Sequence, residues 1–131
     1  MRIEDLNPKG FPTTPVILHN LELLAAAMTD VERAYGNFLM VNSGLRSFLD
    51  HERIYRDLNK TRSQPLHVPM QSAHLIGLAV DVADRSKKVW GWAMKNLVLL
   101  EKLGLYLEIR MGGWVHFQLK APRSGHRIFQ P

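Results

Sequence analysis

The sequence predicts an α+β domain, a small and mostly antiparallel sheet with helices packed on it. Three observations carry that expectation. Between Val16 and Tyr35 apolar residues recur at three- and four-residue steps, the period of an amphipathic helix. Leu78-Ala79-Val80-Asp81-Val82 alternates and carries β-branched side chains, the pattern of a strand. Leu105–Arg110 and Trp114–Leu119 also alternate, and Met111-Gly112-Gly113 between them reads as the turn of a β-hairpin. In order, the elements run α, β, α, long loop, β, α, β, β.

With 131 residues the chain has room for one core, and residues 1–131 are read as a single domain. Apolar content of 46% and charged content of 22% are those of a globular protein. No apolar run reaches the roughly 20 residues that span a bilayer, so no membrane span is expected. Met1–Pro8 lacks the apolar core of a secretory signal. Cysteine is absent, which excludes disulfides and thiolate ligands and leaves imidazole and carboxylate for any metal. The formal charge of +5 favours a polyanionic partner, cell wall or nucleic acid alike.

Residues 1–14 read as an irregular arm broken by Asn7-Pro8-Lys9-Gly10 and Pro12. Thr14-Pro15 is an N-cap followed by proline at the first helical position, and Gly36 ends that helix. Leu18, Leu21, Leu24, Ala25, Met28, Val31 and Ala34 form its stripe, and His19 on it is given no role. Phe38–Asn42 is expected as a short buried strand leading into Ser43-Gly44-Leu45-Arg46. Ser47, with Asp50 three residues on, opens a second helix to about Asn59 as an approximate capping box. Phe48, Ile54, Tyr55 and Leu58 are expected inward, and His51 solvated. Residues 60–71, with two prolines, form a loop long enough to wall or cover a cleft. Ser86 is expected to cap a long helix to about Leu103, with Trp90 and Trp92 at the core or its edge and Gly104 as its stop. From about residue 120 the chain reads as a basic, extended tail with two prolines.

Chemistry concentrates in Ser72-Ala73-His74-Leu75-Ile76-Gly77-Leu78-Ala79-Val80-Asp81. His74 lies in a turn or short helix, Gly77 lets the chain bend back, and Asp81 projects from one face of the strand. The bend brings an imidazole beside a carboxylate, and small residues leave space around them. A lone His–Asp pair is more often a structural hydrogen bond, and catalytic zinc usually takes three protein ligands. His116, in the alternating Trp114–Leu119, supplies the third and completes a His2Asp set. His67, seven residues before His74, is the rival ligand; it sits in the loop and outside the motif.

The spacing Ser72-x-His74-x-x-Gly77-x-Ala79-x-Asp81 resembles the signature of zinc-dependent peptidoglycan peptidases. That family includes D-alanyl-D-alanine carboxypeptidases and dipeptidases, and phage endolysins that cut the L-alanyl-D-glutamate bond. Ser43-Gly44-Leu45-Arg46-Ser47 resembles its upstream motif and Val115-His116-Phe117 its late histidine, in the family's order, so the resemblance covers about residues 38–119. It implies the hedgehog/DD-peptidase fold, and Zn2+ held by His74, Asp81 and His116. It also places Arg46 in the cleft, against a substrate carboxylate or oxyanion; Ser72 either bonds in the cleft or caps the turn. Many members carry an acid three positions before the late histidine, where this chain has Gly113.

Glu108, on the other hairpin strand, is the candidate general base, ahead of Glu101 and Asp84. Whether its face meets His116 depends on a register that alternation alone leaves open, and the other reading is a solvated glutamate paired with a neighbouring lysine or arginine. The function so implied is hydrolysis of amide bonds in peptidoglycan stem peptides, of a phage lysis or virion-associated type. The protein would then act at the cell wall, from the host cytoplasm or the virion. Its rival is a non-catalytic phage particle component that keeps the fold. Nucleic-acid binding rests on charge alone, without a recognised motif.

Overall fold

The computed structural model describes residues 1–131. It contains helices α1 (Ile3–Leu6), α2 (Pro15–Tyr35), α3 (Phe48–Asn59), α4 (Lys88–Lys95) and α5 (Leu97–Lys102). Strands β1 (Val41–Ser43), β2 (Ala79–Ala83), β3 (Tyr106–Glu108), β4 (Trp114–Gln118) and β5 (Ile128–Phe129) make one sheet. Its order is β1-β2-β4-β3-β5, antiparallel except where β5 runs parallel to β3. The α+β class expected from the periodicities is therefore observed. No helix is long and apolar enough to cross a membrane.

Alternation gives the sheet two different faces. Val80 and Val82 of β2, Leu107 of β3, and Val115 and Phe117 of β4 are buried against Leu21, Leu24, Met28 and Val31 of α2. The intervening residues Asp81, Glu108, His116 and Gln118 point to the other face. The core is thus on one side of the sheet and the polar groups on the other. On α2, the Thr14 hydroxyl accepts from the Ile17 N–H at 3.2 Å, and Gly36 closes the helix in the left-handed region at φ 87°. Leu18 and Ala34 fall outside the buried stripe.

Several expectations are corrected. The N-terminal arm is not wholly irregular, because α1 buries Leu6, whose carbonyl accepts from the Leu45 N–H at 2.8 Å. The first strand is Val41–Ser43; Phe38 and Met40 before it are exposed, 88% and 73%. Ser47 caps α3 through the Asp50 N–H, but the Asp50 carboxylate goes to Lys9 and Arg53 and closes no box. Phe48 and Leu58 are on its exposed side.

The expected long helix is two. The Asn96 side chain donates to the Trp92 carbonyl at 2.7 Å, ending α4 although the apolar register runs on. Its start is not capped by Ser86 either. The Asp84 carboxylate reaches over and accepts from the Val89 and Trp90 N–H groups, at 3.0 and 2.9 Å. Finally, the C-terminal segment is no free tail. Backbone bonds from Leu107 to Arg127 and from Ile109 to Phe129 add β5 to the sheet, and Phe129 is buried.

Candidate metal centre

His74 arrives on a single 3-10 turn, Ala73–Ile76. The Ser72 hydroxyl accepts from the His74 N–H at 3.3 Å, and Gly77 turns the chain into β2 at φ 79°. Of the two roles left open for Ser72, the cap is the one observed. Asp81 and His116 are register partners in β2 and β4. One ligand atom each from His74, Asp81 and His116 lies within 4.8 Å of the others, and all three residues are buried. This group could hold a metal ion.

The orientation of the imidazoles bears on that fit. His74 donates its Nδ1–H to the Gly44 carbonyl at 2.9 Å, which leaves Nε2 to face Asp81 Oδ2 at 3.3 Å. His116 donates Nε2–H to Gln118 Oε1 at 2.7 Å, and its Nδ1 lies 2.8 Å from Asp81 Oδ1. Gln118 is itself fixed by donating to the Lys120 carbonyl. Each ring therefore has one nitrogen anchored on the protein and the other turned to a shared carboxylate. Metal-binding histidines are held in this way, because the anchor sets the tautomer and aims the lone pair.

The position of Gly44 requires glycine. A Cβ there would lie 2.2 Å from the Leu6 carbonyl oxygen, so only glycine lets α1 close over this loop while its own carbonyl meets His74.

Charge in the group is strongly coupled. Burial would raise the Asp81 carboxyl, but His74 and His116 outweigh it and hold it well below the usual carboxylate range. Burial also pushes both imidazoles toward neutrality. It prevails at His74, which titrates lower than usual despite Asp81. At His116 the hydrogen bond and charge of Asp81 prevail and raise it. A neutral His74 then points its Nε2 lone pair at a carboxylate oxygen, an arrangement that a cation between them would relieve.

Arg46 and Glu108 border the same group. Arg46 is buried and donates Nε–H to Ser43 Oγ at 2.9 Å and Nη2–H to Asp81 Oδ2 at 3.1 Å. Tyr106 pairs with Gln118 and Leu107 with Phe117, so the register sets Glu108 opposite His116. Glu108 Oε2 is 4.0 Å from His116 Nε2, and burial raises its carboxyl above the ordinary value even though His116 opposes this. The face of Glu108 thus meets His116. Arg110, two residues after Glu108, pairs with Asp84.

His67, the rival ligand, is exposed and outside the group, and Glu101 is exposed on α5. Asp84 is occupied by backbone N–H groups. Two residues of the site were not anticipated. Gln118 follows His116 by two on one strand, and that alternation was its available signal. His51, expected in solvent, is completely buried, with Nδ1 3.3 Å from Arg46 Nη1. Helical periodicity gave no sign of that. No family model matches the chain, and no curated protein matches it.

Proposed function

We propose that the chain is a zinc-dependent peptidase that hydrolyses amide bonds in peptidoglycan stem peptides, on a hedgehog/DD-peptidase-like fold. The observation that carries this reading is the His74–Asp81–His116 group with both imidazoles anchored so that their free nitrogens converge on one carboxylate. Two imidazoles and one carboxylate, without thiolate, make a ligand set for catalytic zinc with a position left open. When bound, zinc supplies Lewis acidity that polarises a carbonyl and acidifies water.

The chain's own residues do the rest. Glu108 takes the proton of the attacking water and returns it to the leaving amine; its burial-raised carboxyl suits both steps. Three contacts hold the Arg46 guanidinium, to Ser43, His51 and Asp81, and its remaining N–H groups are free for a substrate carboxylate or the developing oxyanion. The net charge of +5 suits an anionic wall. The same reading makes the protein a phage-type lysis or virion-associated enzyme that reaches the wall from the host cytoplasm or the virion.

A second reading, a non-catalytic particle component with the same fold, is favoured by one observation. Arg46 and His116 already neutralise Asp81, so the group satisfies itself without a metal. Elemental analysis of protein purified without tag or chelator, with release of new amino groups from purified peptidoglycan, separates the two. The peptidase reading expects one zinc per chain and hydrolysis. A zinc-loaded chain that is inactive on several wall chemotypes would favour the particle component, and a chain that binds no zinc would overturn the peptidase.

A further inference from the structure

His51 is on α3 and contributes nothing to the metal group, yet its ring is fully buried and both its nitrogens are engaged. Nε2 lies 2.9 Å from the Pro69 carbonyl oxygen, an atom that can only accept. Nε2 therefore carries a hydrogen. Nδ1 lies 3.3 Å from Arg46 Nη1, an atom that can only donate, so Nδ1 presents its lone pair. The two contacts demand the same tautomer, a neutral ring with hydrogen on Nε2.

We propose that His51 is the positioning residue for Arg46: it accepts from the guanidinium while anchored on the Pro69 carbonyl, and so fixes where the remaining Arg46 N–H groups point beside the His74–Asp81–His116 group. Ser43 holds the guanidinium at Nε and Asp81 holds it at Nη2. Without His51 the Nη1 end has no protein partner, and the planar fork is free to swing about the other two contacts. The Pro69 carbonyl belongs to the loop between α3 and the His74 turn, so one ring also ties that loop to the arginine. Burial lowers the His51 imidazole, with the nearby Arg46 charge acting in the same direction, which keeps the lone pair available near neutral pH. Tyr55 packs edge-on against the ring at 5.0 Å and holds its plane. Arg46 as a substrate group rests on the peptidase reading; the tautomer and the hold on Arg46 do not.

Two variants separate the contacts. The amide oxygen of asparagine falls near the place of Nδ1 and can accept from Arg46. The amide of glutamine reaches the place of Nε2 and can donate to Pro69, but offers Arg46 nothing. With peptidoglycan as substrate, His51→Gln should lower kcat/KM by about 10- to 100-fold, the scale of a misaligned group, with zinc content unchanged. His51→Asn should restore it to within a few-fold of wild type. Equal losses in both variants would mean that the ring only fills space, and would overturn the proposal. Nitrogen-15 NMR of the full chain supplies the arm that needs no turnover. It should show His51 as the neutral Nε2–H tautomer, and Arg46 side-chain N–H signals that are ordered in wild type and His51→Asn but averaged in His51→Gln. A protonated ring, hydrogen on Nδ1, or an unchanged Arg46 in His51→Gln would sink the proposal. If wild type shows no hydrolysis while these NMR results hold, the peptidase reading fails and the positioning role stands.

Discussion

Asp81, in the middle of β2, and Asp84, just past its end, are three residues apart, and both are buried, 8% and 3% exposed. Their partners differ in kind. Asp84 accepts from the backbone N–H groups of Val89 and Trp90 at the start of α4, and its other neighbour is the Arg110 side chain. Asp81 meets no backbone donor and is surrounded by the side chains of Arg46, His74 and His116. A carboxylate bound by backbone is locked to the fold, because its donors cannot leave or change charge. A carboxylate bound by side chains sits among groups that can titrate, rotate or exchange a proton for a metal. On physical grounds the first arrangement suits a structural acid and the second a ligand or reactive one.

The strongest way to break that contrast is to remove Asp81. Asp81→Asn keeps the shape and deletes the charge, so metal affinity should fall by at least about 100-fold, the upper end of what losing a mere supporting partner does. Zinc titration monitors it, and circular dichroism should still report intact helices, since the apolar core lies on the opposite face of the sheet. Loss of the helices would mean that Asp81, like Asp84, is structural.

Glu108→Gln sharpens the contrast from the chemical side. It removes no ligand, so zinc should stay, while hydrolysis of peptidoglycan should fall by about 10²–10⁴-fold, the usual contribution of a general base. Full activity in this variant would remove Glu108 from the mechanism.

Asp84→Ala is the reverse experiment. It deletes two backbone-capping bonds and the partner of a half-buried arginine, so unfolding free energy should fall by about 2–5 kcal/mol. Zinc stoichiometry should not change. Chemical denaturation and elemental analysis together decide it, and a loss of zinc without loss of stability would exchange the roles of the two acids.

The same contrast explains what was legible in the sequence. Asp81, His74 and His116 were readable because turn and strand patterns say which way such residues project, and small residues mark the space between them. Asp84 was not: Ser86 offers the nearer cap signal, while the Asp84 carboxylate reaches past it to the Val89 and Trp90 N–H groups, with Lys87 in the left-handed region at φ 63° between them. The break at Asn96 was hidden for a related reason, since a side chain bonding its own helix leaves the apolar period intact. β5 was missed because two residues joining a sheet by backbone bonds, from a basic and proline-containing stretch, carry no alternation to read. His51 was missed because a polar residue on a polar-looking helix face is buried only by what folds over it, here Arg46 and the loop at Pro69.

The smallest expected effect is on pH. The contacts of Asp84 are mostly backbone, but those of Asp81 continue through Arg46 to a titratable ring, His51. Burial holds that ring below its ordinary value, so the folded chain keeps it neutral where the unfolded chain, with a histidine near 6.5, takes up a proton. The stabilisation from His51 is therefore present above about pH 6.5 and is lost as pH falls toward the folded value. One group can contribute a slope of at most about 1.4 kcal/mol per pH unit. The chain holds six histidines, so the readout is a difference between proteins rather than one profile. Unfolding free energy should be measured between pH 5 and 8 for wild type, His51→Asn and Asp84→Ala. His51→Asn should fall less steeply on acidification than wild type, because the group that protonates on unfolding is gone. Asp84→Ala should start lower but run parallel to wild type, since it leaves His51 and its partners Arg46 and Pro69 in place. A His51→Asn curve parallel to wild type would mean that His51 is as easily protonated in the fold as out of it, and the side-chain surroundings of Asp81 would then be as fixed as the backbone cage of Asp84.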